Sequence, residues 1–179
     1  HWITVNYREA YKIFACNGIL FNHESPVRGE TFVTRKIVIG LCKIKLKKQK
    51  TLYLGNLYAK RDWGHAKDYV VAMWKMLQKK KAKDYVIATG KQHSVKYFIT
   101  LVAKELNMRV KWIGKGISEK GYINNKLFIS IDKRYFRPTE VESLLGNSSL
   151  AKKELNWKPN YNLNSLVKDM VSMELKNFR

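Results

Sequence analysis

Short apolar runs alternate with longer stretches of helical periodicity along this chain of 179 residues, and this alternation constrains the fold more than any other feature. The apolar runs have the length of buried strands, and they lie at 13–22, 52–54, 85–89, 110–113 and 127–131. Between them, apolar residues recur every three or four positions, as on the packed face of an amphipathic helix. Because predicted strands and helices alternate along a chain of about one domain's length, we predict an α/β fold.

The predicted helices can be placed from their apolar faces and their caps. The chain opens with Trp2 to Tyr11 as the last part of a helix, and a second helix starts at Thr31. Ser94 is placed to cap a later helix, and Ser148 or Ser149 to cap a short helix that ends at Leu155. Two further helices are marked by apolar faces, one by Val70, Met73, Trp74 and Leu77 and the last by Leu163, Leu166, Val167 and Met170.

The chain carries 35 basic and 14 acidic residues, which gives a net charge of +21. Such a charge can indicate binding to nucleic acid. The lysines, however, cluster at 43–50 and 79–83, at predicted helix ends where the helix dipole and solvent stabilise them. This distribution disfavours nucleic acid as a partner and favours an anionic nucleotide.

The two cysteines and the hydrophobicity profile indicate a reduced, cytoplasmic protein. Cys16 and Cys42 lie within apolar runs and lack the spacing of a metal site or a redox pair. The three residues His23, His65 and His93 fall on separate elements, so no metal is expected. Every apolar run is shorter than the roughly 20 residues of a membrane helix, and we expect neither a membrane span nor a signal peptide.

Four motifs carry a resemblance that covers nearly the whole chain, from Trp2 to Pro159. They are Asn22-His23-Glu24-Ser25-Pro26, Leu54-Gly55-Asn56, Arg61-Asp62-Trp63-Gly64-His65-Ala66-Lys67-Asp68 and Arg134-Tyr135-Phe136-Arg137-Pro138-Thr139-Glu140. With these motifs the chain resembles the extended short-chain dehydrogenase/reductase family, in its branch of sugar-nucleotide dehydratases. The resemblance implies the closing strands of an NADP-binding Rossmann fold plus the small α/β C-terminal substrate-binding domain.

The same resemblance implies dehydration of GDP-mannose to GDP-4-keto-6-deoxymannose with NADP as cofactor. It further implies that residues 1–179 form the C-terminal portion of one subunit, because the catalytic Tyr and Lys of the family precede the helix that ends at Tyr11. No catalytic residue is therefore expected in this chain, and the chain alone is expected to be inactive. In the family the first ten residues pack between subunits, which implies a homo-oligomer, a dimer or a tetramer.

The site residues follow from the resemblance, position by position. His23 and Arg28 match contacts to NADP. The matches to nucleotide-sugar contacts are Asn22, Val33, Lys36, Leu54, Gly55, Asn56, Arg61, Arg137 and Glu140. Two positions depart from the family pattern: Val27 stands where an arginine is usual, and Tyr58 where an acidic residue is common.

Elementary chemistry supports part of this assignment. A guanidinium group meets the planar oxygen sets of a diphosphate with paired hydrogen bonds that lysine cannot reproduce, which favours Arg61 and Arg137 as diphosphate ligands. Lys36 lies in the first turn of a predicted helix, where free backbone amides attract a phosphate or a base edge. Gly55 lacks a side chain, so a ligand could approach its backbone.

Other interpretations remain open on the sequence. Arg61 could pair with Asp62, and Arg137 with Glu140, in purely structural ion pairs. The chain could belong to another sugar-nucleotide dehydratase or epimerase. It could also be a non-catalytic basic module that binds GDP or any polyanion.

Overall fold

The computed structural model describes residues 1–136 and 139–178, and these residues form six α-helices and ten short strands. The helices are α1 (Trp2–Tyr11), α2 (Val33–Lys45), α3 (Ala66–Leu77), α4 (Val95–Glu105), α5 (Ser149–Leu155) and α6 (Leu163–Asn177). The strands are β1 (Gly18–Leu20), β2 (Asn22–Glu24), β3 (Leu52–Leu54), β4 (Lys60–Arg61), β5 (Trp63–His65), β6 (Tyr85–Ile87), β7 (His93–Ser94), β8 (Lys111–Ile113), β9 (Lys120–Ile123) and β10 (Lys126–Ile131). Single 3₁₀ turns span Gly116–Ser118 and Lys133–Tyr135.

The strands pair in both directions, which confirms the predicted α/β class. Strand β1 runs parallel to β6, and β2 runs parallel to β5. A four-stranded sheet has the order β3-β10-β9-β8, in which only β3 and β10 are parallel. Strands β4 and β7 form a small antiparallel pair. Since β2 and β5 are parallel, their carboxyl ends lie at one edge, where open α/β sheets present ligand contacts.

Two hydrophobic cores hold these elements. The larger core joins α2, α4 and α6 to β3 and β10, through fully buried residues such as Leu41, Phe98, Ile129 and Met170. The smaller core joins α3, α5 and β6, and its largest buried side chains include Tyr69 and Tyr85. Cys42 lies in the larger core, where burial raises the pKa of its thiol to about 12, while Cys16 is half-buried and also free.

The sequence located most elements but was wrong about some bounds. The long strand predicted at 13–22 is reduced to β1, because Ile13 and Phe14 remain outside any strand and exposed. Strand β9 was not predicted, since Lys120-Gly121-Tyr122-Ile123 has no continuous apolar run. It forms because it pairs with β10 and β8 on its two sides.

Helix α3 exists as predicted, but the apolar face by which the sequence identified it does not pack against either core. Val70, Trp74 and Leu77 are each 60% exposed or more, and Met73 is 40% exposed. The buried face consists of Asp68, Tyr69, Ala72 and Met76. Periodicity alone identified the more hydrophobic face of α3, and that face is open to solvent in this chain.

Asp62 connects the two cores through its carboxylate. The residue is completely buried between β4 and β5, directly before Trp63 of the larger core. Its Oδ1 accepts hydrogen bonds from the Thr89 amide at 2.9 Å and from the Thr89 hydroxyl at 2.5 Å. Its Oδ2 accepts the amides of Gly90 at 2.9 Å and Gly146 at 3.3 Å. Thr89 and Gly90 directly follow β6, and Gly146 precedes α5, so the Asp62 carboxylate links both of these elements of the smaller core to the β4–β5 segment.

The rest of the Arg61 to Asp68 motif also stabilises the fold. His65 caps α3 by accepting the Lys67 amide at Nδ1, and its Nε2 therefore carries the proton and donates to Asp169 at 3.0 Å. The Asp68 carboxylate accepts the amides of Asn160 and Tyr161 at 3.1 and 3.0 Å. The motif thus holds α3 against the segment that leads into α6.

Every helix within residues 1–136 and 139–178 is too short or too polar to cross a membrane.

Replacing Asp62 with Ala removes the acceptor for four donors and is expected to lower the free energy of unfolding by about 3 to 5 kcal/mol. Asp62→Asn keeps one acceptor oxygen but sets an NH₂ group against backbone amides, and we expect an intermediate loss. Urea denaturation measures both values. Glu105→Ala, at an exposed carboxylate on α4, is the matched control and should leave stability unchanged. A loss at Asp62 no larger than that at Glu105 would contradict this role.

Candidate functional site

A cavity of about 520 Å³ opens where β2, α2, β3 and β4 meet. Every predicted nucleotide-sugar contact within the described residues lines it. These are Asn22, Val33, Lys36, Leu54, Gly55, Asn56, Arg61 and Glu140. Arg137, also predicted, lies outside the described residues. The remaining lining residues are Glu24, Thr31, Phe32, Ala59, Trp63, Val95 and Tyr135, which the sequence did not single out.

Strand pairing, the start of α2 and the turn after β3 position these residues. Asn22 starts β2 and is in register with Trp63 of β5, so the parallel pair brings both to the cavity. Helix α2 starts at Val33, and its first turn places Val33 and Lys36 at the same cavity while Thr34 and Arg35 are buried. The turn after β3 adds Leu54 to Asn56, and β4 adds Arg61.

Gly55 is required by packing against protein rather than by ligand approach alone. A Cβ at this position would collide with the backbone carbonyl of Tyr135. Tyr135 in turn places its ring 3.6 Å from Lys36 Nζ in a cation–π contact. The glycine therefore lets the 133–135 turn close over the cavity and hold Lys36 in place.

Arg61 forms an ion pair with Glu140 inside the cavity. One guanidinium nitrogen lies 2.7 Å from Glu140 Oε1, and the other donates to the carbonyl of Lys60 at 2.8 Å. The two side chains are only 14% and 20% exposed. The sequence offered Asp62 as a structural partner of Arg61, and that interpretation is wrong because Asp62 is occupied by Thr89, Gly90 and Gly146.

Glu24 is a buried carboxylate of the cavity that the sequence did not select as a site residue. It is 2% exposed, and its Oε2 accepts the Thr34 hydroxyl at 2.5 Å. Burial raises the pKa of the Glu24 carboxyl, against the opposing effects of the bond from Thr34 and the charge of Arg28. A signal was available in the sequence, because Asn22 and Glu24 alternate along β2 and so share one face.

The two predicted cofactor residues lie beside the cavity rather than in its lining. His23 faces away from Asn22 and packs on the Tyr69 ring at 5.0 Å, and its Nδ1 donates to the carbonyl of Phe21 at 2.9 Å. Arg28 lies with its guanidinium carbon 3.6 Å from the centre of the Phe32 ring. Arg28 Nε is buried and lies 3.3 Å from Glu24 Oε2, without the geometry of a hydrogen bond.

Tyr58, which the sequence predicted to be an unusual residue at its position, contacts a neighbouring carboxylate. Its hydroxyl donates to Glu119 at 2.5 Å, and this bond raises the pKa of the Tyr58 phenol. Burial pushes the pKa of Glu119 up, but the bonds from Lys96 and Tyr58 together hold it below its ordinary value. The Tyr58 amide also donates to Asn56 Oδ1 at 2.9 Å, which fixes the Asn56 side chain at the cavity.

Arg35 is not available to a ligand although it follows Thr34 in the first turn of α2. Its guanidinium lies 2.6 Å from the Glu174 carboxylate of α6, and both side chains are less than one tenth exposed. This buried ion pair fixes α2 against α6. Among the described residues, the cationic groups that line the cavity are Lys36 on α2 and Arg61 on β4.

Solved structures with the same fold define the class. RMD from Pseudomonas aeruginosa, in complex with NADPH, superposes with a TM-score of 0.79 at 16% identity and covers 98% of this chain and 52% of that one. The dTDP-glucose 4,6-dehydratase of Bacillus anthracis, in complex with NAD, gives a TM-score of 0.75 at 18% identity and covers 98% and 49%. The chain thus shares its Rossmann-type α/β fold with a solved dehydratase and a solved epimerase.

Sequence comparison narrows the class to one family. The profile of GDP-mannose 4,6 dehydratase matches residues 1–170, and the chain belongs to this family. The GDP-mannose 4,6-dehydratase of Vibrio cholerae serotype O1 is 52% identical over 188 aligned residues, which cover 98% of this chain and 50% of the relative. The chain therefore spans about half the length of the curated relatives that it matches.

Gly55→Ala should lower the free energy of unfolding by about 1 to 3 kcal/mol, because the added methyl group overpacks against the Tyr135 backbone. Thermal denaturation measures the loss. Gly29→Ala serves as the matched control, since its Cβ would meet only the side chain of Phe32, at 3.3 Å. That ring is half-exposed and can move. Equal melting temperatures for the two variants would contradict the packing role of Gly55.

Proposed function

We propose that this chain supplies the nucleotide-sugar site of a GDP-mannose 4,6-dehydratase, which converts GDP-mannose to GDP-4-keto-6-deoxymannose. Membership of the family supports this activity. The observation that carries the proposal for this chain is that residues from four separate elements, all predicted from the family resemblance, line one cavity. Residues 1–179 then correspond to the C-terminal portion of a subunit, and the location is cytoplasmic.

The cavity has the size and chemistry for a nucleoside diphosphate sugar. Its volume of about 520 Å³ falls within the usual range of small-molecule sites. We assign Arg61 and Arg137 to the diphosphate, because guanidinium groups pair with its oxygens. Glu140 would accept hydrogen bonds from the ribose hydroxyls, and Asn22 would contact the sugar.

The base would lie between α2 and the turn after β3. Val33 and Leu54 provide apolar walls, and Gly55 and Asn56 provide a narrow polar edge. Lys36 adds a positive charge that suits the electron-rich edge of guanine. In this arrangement the described residues bind and orient the nucleotide sugar, and proton transfer is assigned to no residue of this chain.

NADP is the proposed cofactor, and His23 and Arg28 would contact it. Arg28 is a permanent cation whose Nε faces Glu24 at 3.3 Å, and the positive charge of its guanidinium suits the phosphate groups of NADP. His23 is fixed in one tautomer, because Nδ1 must donate to the Phe21 carbonyl. When bound, NADP would accept a hydride from the sugar and return it during the dehydration.

A second candidate is a basic module that binds any polyanion without catalysis. The net charge of +21 favours it, since a lysine-rich surface attracts phosphates without specific geometry. The two candidates differ in what they require of the cavity. Nucleotide-sugar binding depends on Arg61, whereas polyanion binding depends on total charge.

Calorimetric titration of the chain with GDP and with ADP tests the proposal. GDP should bind and ADP should bind at least tenfold more weakly, because Lys36 and Asn56 contact the base edge. Arg61→Lys should weaken GDP binding by about 1 to 3 kcal/mol at unchanged charge, because the planar fork is lost. Arg137→Lys should act in the same direction.

The double variant Lys47→Gln/Lys48→Gln is the control, because both lysines are exposed and lie beyond the end of α2. It should leave GDP affinity nearly unchanged at two salt concentrations. A larger loss in this variant than in Arg61→Lys, or equal affinity for ADP and GDP, would support the basic module instead.

We also propose a homo-oligomer that buries the outer faces of α1 and α3. Helix α1 has no buried residue, and its Trp2, Ile3 and Tyr11 are each more than 60% exposed. Helix α3 exposes Val70, Trp74 and Leu77 to a similar extent. Apolar helix faces of this kind are typical of a protein interface.

Trp74→Glu places a charge in the proposed interface and should shift the chain towards the monomer in sedimentation velocity. Ile117→Glu is the control, because Ile117 is 58% exposed in the 3₁₀ turn Gly116–Ser118, on a different part of the chain. A chain that is monomeric before substitution, or that dissociates equally in both variants, would contradict the proposed interface.

A further inference from the structure

Glu24 stands between the two sides of the proposed site. It follows His23 on β2, precedes Arg28 by four residues and contacts the first turn of α2 through Thr34. His23 and Arg28 are proposed cofactor contacts, while α2 carries the proposed base contacts Val33 and Lys36. A single buried carboxylate therefore touches elements that serve different ligands.

The first turn of α2 has no side-chain cap, and Glu24 contacts it through the Thr34 hydroxyl. Phe32 occupies the N-cap position without a side-chain hydrogen bond, and the first turn contains no acidic residue. Free amides and the positive end of the helix dipole favour a negative charge at that position. Glu24 supplies the charge from β2, and completely buried Thr34 supplies the hydrogen bond.

Arg28 balances the charge of Glu24. A buried carboxylate is costly unless it is paired and hydrogen-bonded. Oε2 accepts a hydrogen bond from the Thr34 hydroxyl, and Arg28 Nε lies 3.3 Å from the same oxygen, so both contacts stabilise the carboxylate as an anion. The Phe32 ring closes the opposite side of Arg28 at 3.6 Å and keeps the guanidinium beside Glu24.

We infer that Glu24 is a positioning residue that links Arg28 to the first turn of α2, so that a change at Arg28 alters the placement of Val33 and Lys36. This role rests on the proposed function for its consequence, which is coupling between the cofactor side and the nucleotide side. The link itself is a property of the chain without ligand. Without Arg28 the Glu24 carboxylate is stabilised less as an anion, and it accepts the Thr34 hydroxyl more weakly.

Amide hydrogen exchange of the ligand-free chain, read by NMR, measures the link. Thr34→Val removes the hydroxyl at nearly constant shape, and Glu24→Gln removes the charge. Each should accelerate exchange about tenfold at the amides of Lys36 and Ile37, while α4 and α6 keep their rates, because the opening is local. Thr34→Ser restores the hydroxyl and should return the rates to those of the parent.

The Arg28→Gln variant tests whether Glu24 links Arg28 to the first turn of α2 or acts on that turn alone. It should accelerate exchange in the first turn of α2 in the parent chain and have no further effect in the Glu24→Gln background. Glu119→Gln is the matched control, since Glu119 is equally buried at 3% exposure but contacts Lys96 and Tyr58. It should leave the α2 rates unchanged.

Three results would overturn the inference: unchanged rates in the first turn of α2, acceleration spread equally over α2, α4 and α6, or an Arg28→Gln effect that persists without the Glu24 charge. In the GDP titration, Glu24→Gln and Thr34→Val should each lower affinity about fivefold or more, and Thr34→Ser should retain it. A chain that does not bind GDP would contradict the proposed function, and the exchange rates would still decide whether Glu24 forms the link.

Discussion

The carboxylate of Asp62 is the interaction on which the arrangement of the site depends. It lies in a connection of one residue between β4, which carries Arg61, and β5, which pairs with the strand that carries Asn22 and Glu24. By accepting four hydrogen bonds from the segments after β6 and before α5, it fixes that connection against the smaller core. A buried carboxylate can hold several chain segments because each oxygen accepts more than one donor. The cavity forms where β4 and β2, held in place by these contacts, meet α2.

Among the described residues, the charged side chains at and beside the cavity have defined partners. Glu140 neutralises Arg61, and Glu24 faces Arg28. Lys36 lies against the Tyr135 ring rather than against another cation. The many other lysines lie at helix ends and on exposed surfaces, where water screens them. Most of the net positive charge therefore lies on the surface of the molecule. The described cations at the cavity, in contrast, have defined partners.

The sequence allowed the α/β class, the helices and a set of residues that line one cavity to be predicted, because these depend on local patterns and short motifs. Arg61 and Asn56 lie in motifs whose spacing is visible along the chain. The role of Asp62 could not be predicted in the same way, since its donors are 27, 28 and 84 residues away. Strand β9 depends on pairing with both neighbours, and the exposed face of α3 depends on what lies around it. Glu24 was missed because its partner Thr34 belongs to the next helix.

A crystal structure of the chain with GDP bound tests the proposed site most directly. We expect the diphosphate to lie within hydrogen-bond distance of the Arg61 guanidinium. The guanine should lie between the first turn of α2 and the turn from Leu54 to Asn56. GDP bound on the lysines outside the cavity, with the Arg61–Glu140 pair unchanged and the cavity empty, would contradict it.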